Sequence, residues 1–76
     1  MKLNILDTVV LQKNLPESHL CRGDIGAIVE LYEPNGIEVE FVTGSGETQA
    51  LVTLKSDDVR LVSGSDILAV RSLDAA

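Results

Sequence analysis

His19 and Cys21 are the two side chains of this sequence with the most reactive chemistry. They are separated by one residue, and each is the only residue of its type in the chain. A thiolate beside an imidazole is the pairing that cysteine nucleophiles use, and both side chains can bind zinc. Zinc normally takes four such ligands, however, and no third group that would orient the imidazole is identifiable. We therefore expect neither a catalytic residue nor a metal site, with Cys21 acting as a small apolar residue and His19 as a loop residue.

Three glutamates and a tyrosine form a second group in the middle of the chain: Glu30, Tyr32, Glu38 and Glu40. All four have even numbers within two predicted strands, so they are expected on the outer face of one hairpin. Their spacing does not complete a calcium-binding loop. The group is either a solvated face that keeps the sheet soluble or an acidic patch that attracts a basic partner. We select it as a candidate interface, because like charges on neighbouring strands cost some stability.

Two glycine motifs are interpreted as turns. Gly44-x-Gly46 lacks the third glycine and the following helix of a dinucleotide-binding loop, and strand residues follow it. In Gly23-Asp24-x-Gly26, glycine supplies unusual backbone angles and the aspartate can bond nearby amides. An RNA-contacting loop is the alternative for this second motif, but it would need basic neighbours, and only Arg22 is close.

Length and charge restrict the function classes. The chain has 76 residues, enough for one small domain, and a full enzyme cleft is difficult to form from so little core. Twelve acidic and six basic residues give a net charge of -6, which disfavours binding to nucleic acid and to anionic membranes. One cysteine allows no internal disulfide, so we expect a cytoplasmic protein. No apolar run approaches the roughly 20 residues of a membrane span.

Turn residues divide the chain into short runs that favour β-structure. In the second run, Ala27, Val29 and Leu31 are expected to face inward, and in the third run Ile37, Val39 and Phe41. Asn35-Gly36 is expected at the centre of a tight hairpin turn. The predicted strands are Asp7 to Lys13, Ile25 to Glu33, Ile37 to Thr43, Thr48 to Leu54 and Arg60 to Val62, with a 3-10 turn over Ser56 to Val59.

This order of elements predicts an all-β fold, a small five-stranded SH3-like barrel with a 3-10 turn before the last strand. The barrel would occupy residues 1–62, and residues 63–76 would form a C-terminal tail. The tail is expected to be a short helix, with Ile67, Val70 and Leu73 on one face, or an extra strand. Its apolar residues either pack back across the barrel or contact another chain, so Ile67, Leu68 and Val70 join the candidate interface.

The segment Gly23-Asp24-Ile25-Gly26-Ala27-Ile28-Val29-Glu30 resembles a family of short bacterial proteins of unknown function, frequent in cyanobacteria. The resemblance extends from Leu3 to Val62 and includes Leu6-Asp7-Thr8-Val9-Val10-Leu11 and Ala50-Leu51-Val52-Thr53-Leu54. A more distant similarity links the same motifs to SH3-like barrels such as the β subunit of nitrile hydratase and KOW-type RNA-binding motifs. Several such barrels are accessory domains that dock on a larger partner.

These observations predict a non-enzymatic protein–protein interaction module, an accessory or regulatory partner of a larger intracellular protein. The alternative is a KOW-like nucleic-acid-binding module. We expect no cofactor, no metal and no membrane contact. An unidentified protein is the expected partner, and the tail could join copies of the chain into a homo-oligomer.

Overall fold

A computed structural model describes residues 2–74 of the chain. Its five strands form one antiparallel sheet in the order β4-β3-β2-β1-β5. The predicted all-β class, the five strands and the 3-10 turn before the last strand are confirmed. The elements are β1 (Thr8–Leu11), β2 (Ile25–Tyr32), β3 (Gly36–Val42), β4 (Thr48–Lys55) and β5 (Val59–Leu61), with 3-10 turns at Pro16–Ser18 and Ser56–Asp58. No helix within residues 2–74 is long and apolar enough to cross a membrane.

The core lies on one face of this sheet and follows the alternation of the central strands. Ile37, Val39 and Phe41 of β3 are all buried, as predicted, while the two residues between them are half-buried. Leu54 of β4 is buried beside them, and Leu20 of the β1–β2 loop packs into the same cluster. The cluster is completed by residues of the shorter strands and of β2: Val9, Leu11, Ile28 and Val59.

The predicted alternation of β2 is wrong at its centre. Ile28, expected outside, is fully buried opposite Val39, whereas Ala27 and Val29 are only half-buried. The cause is an irregularity between Ile28 and Glu30, where β2 carries one residue more than β3. Such a bulge reverses the order of inward and outward side chains, so Glu30 returns to the outer face as predicted.

The turn between β2 and β3 also differs from the expected one. Tyr32 pairs with Gly36, so the loop consists of the three residues between them, and Gly36 already belongs to β3. Neither Asn35 nor Gly36 has a positive φ, and the peptide bond before Pro34 is cis. An added Cβ on Gly36 would lie 3.1 Å from the Cβ of Tyr32, so the small residue here permits a close contact.

The tail forms neither the helix nor the strand expected for residues 63–76. Over residues 63–74 it contains only turns and irregular backbone, and residues 75 and 76 lie outside the described chain. Asp66 holds the first turn of the tail in place. Its carboxylate accepts a hydrogen bond from the Ser63 amide at 2.7 Å, and both terminal nitrogens of Arg60 donate to it. Asp66 thus caps a turn and anchors it to β5.

Candidate functional site

Glu30, Tyr32, Glu38 and Glu40 lie together on the outer face of β2 and β3, and we call this group the acidic face. Glu30 is directly opposite Glu38 in the β2–β3 pairing. Glu40 lies two residues further along β3, between Ala27 of β2 and Leu51 of β4. The structure therefore brings together the four hairpin residues that the sequence selects.

Hydroxyl groups of β4 and β2 hold two of these carboxylates. Thr53 Oγ1 donates to Glu38 Oε1 at 2.6 Å, and Thr48 Oγ1 donates to Glu40 Oε2 at 2.6 Å. The Tyr32 hydroxyl donates to Glu38 Oε1 over a longer 3.4 Å. These donors are neutral, so they orient the carboxylates without removing the negative charge of the surface.

The carboxylates of the acidic face affect the ionisation of Tyr32. Partial desolvation, together with the nearby charges of Glu38 and Glu30, raises the pKa of the Tyr32 phenol above its ordinary value. Both effects penalise a further negative charge at this place. Tyr32 therefore stays a neutral donor, with its ring half-exposed beside the carboxylates.

Three of the six basic side chains form ion pairs in the described chain, and none of them pairs with the acidic face. Within residues 2–74 there are three ion pairs, and each one uses an aspartate outside the acidic face: Lys13–Asp58 at 3.4 Å, Arg60–Asp66 at 2.9 Å and Arg71–Asp24 at 2.6 Å. The glutamates of the acidic face thus keep an unbalanced charge that a partner could neutralise.

Two aliphatic side chains adjoin the acidic face, and the sequence did not single them out. Leu51 lies opposite Glu40 and is 57% exposed, and Val42 at the end of β3 is equally exposed. The available signal was the alternation of β4, which already places Leu51 outside. The surface therefore combines carboxylates with apolar area.

The three tail residues of the candidate interface lie in the irregular backbone that follows β5. Ile67, Leu68 and Val70 are exposed rather than packed across the sheet, Val70 almost completely. No hydrogen bond or ion pair within residues 2–74 joins them to the acidic face. Val70 lines one groove together with Val42, the β3 residue that adjoins the acidic face.

The β1–β2 loop holds the far end of the tail. Arg71 donates from Nε to Asp24 Oδ1 at 2.8 Å and from Nη2 to both Asp24 Oδ2 and the His19 carbonyl. Hydrogen bonding by Arg71 lowers the pKa of Asp24, and the Cys21 amide adds to the effect, while burial opposes it. Between this end of the tail and the sheet lies a groove of about 760 Å³, lined among others by Leu20, Phe41 and Leu73.

His19 and Cys21 both take part in this loop through their backbone. His19 has a left-handed conformation with φ of 57° at the end of the first 3-10 turn. Its carbonyl oxygen accepts a hydrogen bond from Arg71 Nη2. The Cys21 amide donates to Asp24 Oδ2 at 2.8 Å, and its side chain is exposed. Over residues 2–74, no three side chains of the His, Cys, Asp and Glu types are grouped so that they could hold a metal ion.

The comparisons with known proteins identify a family without assigning an activity. Residues 5–61 match the family described as domain of unknown function DUF4926. The match ends at the last residue of β5, so it contains all five strands and leaves out the tail. No curated protein and no solved structure matches the chain. Because the match covers most of its length, the chain belongs to the DUF4926 family.

Proposed function

We propose that this member of the DUF4926 family is a non-enzymatic interaction module that binds a basic segment of a larger bacterial protein. The acidic face is the binding surface. The observation that carries the proposal is the group of three glutamates on two adjacent strands, without a cation of the described chain to pair with them. Such an arrangement costs stability in the free protein, and a basic partner would remove that cost.

Lysine and arginine side chains fit both components of this surface. Their charged ends would pair with Glu30, Glu38 and Glu40, while their methylene stems would lie against Leu51 and the ring of Tyr32. Exposed ion pairs contribute only about 0.2–1 kcal/mol each. The acidic face would therefore act mainly on the association rate and on partner choice.

The proposal includes an SH3-like barrel as the fold. The strand order, the long β1–β2 loop and the 3-10 turn between β4 and β5 all support it. The distant resemblance to barrels that act as accessory domains supports the same kind of role, although a shared fold does not by itself transfer function. A single exposed thiol is compatible with a reducing cytoplasm, where we expect the encounter to occur.

Affinity capture from an extract of the native host tests the proposal. The bait is the protein itself, compared with a variant in which Glu30, Glu38 and Glu40 are all replaced by Gln. The matched control carries Glu17→Gln, Asp57→Asn and Asp74→Asn, which remove the same charge at exposed positions outside the acidic face. We expect a protein with a basic segment to be captured by the wild type and the control and lost with the face variant. Equal capture by all three baits would contradict the proposal.

Nucleic-acid binding by a KOW-like loop is the alternative, and the β1–β2 loop gives it little support. Asp24, in the Gly23-Asp24-x-Gly26 motif of this loop, already forms an ion pair with Arg71. The guanidinium of Arg22 points toward the Gln12 carbonyl, with Nη1 3.4 Å from that oxygen. The loop therefore offers few free cations to a phosphate backbone.

A further inference from the structure

Strand β4 forms one edge of the sheet, and residues 50–54 within it lack the protection that such edges usually have. It is eight residues long, and among residues 2–74 its only neighbouring strand is β3. Residues 48–54 contain no charge, no proline and no glycine. Natural proteins protect edge strands with charges, prolines, bulges or short lengths, because an unprotected edge pairs with other chains. β4 has an irregularity only near its start, where Gln49 is one residue more than β3 carries, and residues 50–55 beyond it pair regularly with β3. The opposite edge, β5, is only three residues long.

We infer that two copies of this protein pair through β4, antiparallel, and join their sheets into one continuous sheet. The inference goes beyond the binding of a basic partner and does not depend on it. It also differs from self-association through the tail, because it uses backbone groups of a strand within the family domain.

Charge complementarity favours a second copy as the occupant of this edge. In the antiparallel self-pairing that is centred on Leu51, residue 55 of one copy lies opposite residue 47 of the other. Lys55 ends the strand and Glu47 immediately precedes it, so each would approach the opposite charge of the partner copy. Neither side chain belongs to the three ion pairs of residues 2–74. The pairing would thus gain two ion pairs and bring no like charges together along the strand.

The acidic faces do not prevent this pairing. Glu38 and Glu40 lie on β3, so three strand spacings, about 14 Å, would separate them from their counterparts. That distance exceeds the Debye length of about 8 Å at physiological salt, and the repulsion is largely screened. The exposed Leu51 lies near the middle of β4, where the two copies would shelter each other's side chain.

The paired sheet would carry both acidic faces on one side, since an antiparallel pair keeps the outer faces together. A partner with two basic segments could then bind both copies at once, which raises its apparent affinity without any new contact. The dimer is therefore relevant to function even though its formation does not require a partner.

Sedimentation equilibrium of the 76-residue chain over a range of concentrations tests the inference. We expect a monomer–dimer equilibrium in the wild type. Leu51→Lys introduces a charge at the pairing edge and should raise the dimer dissociation constant by about tenfold or more. Val42→Lys is the matched control, because it makes the same charge change at an equally exposed position on β3, and should dimerise as the wild type does.

Three further variants identify the register and exclude the tail. Lys55→Glu should weaken the dimer, and combining it with Glu47→Lys should restore it, because the opposite charges then meet again. Val70→Lys changes the most exposed tail residue and should leave the dimer intact. Hydrogen exchange of the β4 amides should slow as the concentration rises.

A wild type that stays monomeric at every concentration would overturn the inference. It would also fail if Leu51→Lys dimerised like Val42→Lys, or if Val70→Lys alone dissociated the dimer, which would assign the contact to the tail. None of these outcomes depends on the capture of a basic partner. The proposed function can therefore still be tested if the dimer does not form.

Discussion

Gly26 shows how a single residue sets the distance between two strands. A Cβ added to it would lie 2.7 Å from Val39 Cγ1 and 2.9 Å from both the Glu40 carbonyl oxygen and a ring carbon of Phe41. The backbone of β2 thus approaches β3 closely at this glycine. Since Val39 and Phe41 are core residues, they have little room to move away.

Gly26→Ala should therefore lower the free energy of unfolding by about 1–3 kcal/mol, the usual range for overpacking a core. Urea denaturation measures the change. Gly44→Ala is the control, because an added Cβ there meets no atom within 4 Å, and it should alter the free energy of unfolding by less than about 0.5 kcal/mol. Equal effects of the two substitutions would contradict the packing argument.

The pKa of Asp24 depends on its contact with Arg71 of the tail. Its pKa lies below the ordinary value of 3.8 chiefly because Arg71 donates to it. A carboxyl with a lowered pKa in the folded state stabilises the protein above its unfolded-state pKa. That stabilisation is lost as the pH falls through the folded-state pKa. Acidification should thus release the end of the tail.

Arg71→Gln should raise the pKa of the Asp24 carboxyl toward 3.8, as measured by NMR titration of the side-chain carboxyl carbons. The Asp66 carboxyl serves as an internal control, because hydrogen bonds from Arg60 and the Ser63 amide lower its pKa independently of Arg71. An unchanged pKa of Asp24 would mean that the tail is not held by this ion pair in solution.

At the scale of elements, the sequence predicts the strand whose alternation is uninterrupted. In β3, odd and even positions occupy different environments, and Ile37, Val39 and Phe41 are buried as expected. In β2 the rule fails at Ile28, because the run of apolar residues around it gives no sign of where a bulge will lie. Periodicity alone cannot locate one extra residue.

The bulge makes Ile28 a core residue and leaves Leu31 near the edge of the core. Ile28→Ala should lower the free energy of unfolding by about 2–5 kcal/mol, whereas Leu31→Ala should cost less than about 1 kcal/mol. The side chain of Leu31 is 41% exposed, and that of Ile28 is fully buried. Chemical denaturation of both variants checks this order. The reverse order would support an uninterrupted alternation with Leu31 inside.

The candidate site was predictable in outline and not in detail. Spacing alone places Glu30, Glu38 and Glu40 outside, but the threonines that hold two of them follow from the β3–β4 register. The path of the tail was not predictable either. It depends on Arg71 meeting Asp24, 47 positions earlier in the chain, and nothing in local sequence indicates such a pair.

At the scale of the whole molecule, the net charge of -6 disfavours binding to nucleic acid. The ion pairs reduce the number of free cations further. Three of the six basic side chains are already engaged by aspartates of the described chain. Electrostatic binding to DNA or RNA depends on free lysine and arginine groups that displace counterions.

Fluorescence titration with single-stranded RNA and double-stranded DNA, at about 50 mM salt, should therefore show no binding, although low salt favours electrostatic binding most. Asp24→Asn is the informative companion, because it frees Arg71 beside Arg22 and should be the more permissive form. Tight binding by the wild type that weakens steeply with added salt would favour the KOW-like alternative.

The position of Cys21 has a practical consequence. It is the only thiol of the protein, it is exposed, and its backbone amide donates to the same carboxylate that receives Arg71. A maleimide fluorophore attached there would stand beside the anchor point of the C-terminal segment. Its emission could follow docking and undocking of that segment in real time, without any engineered attachment site.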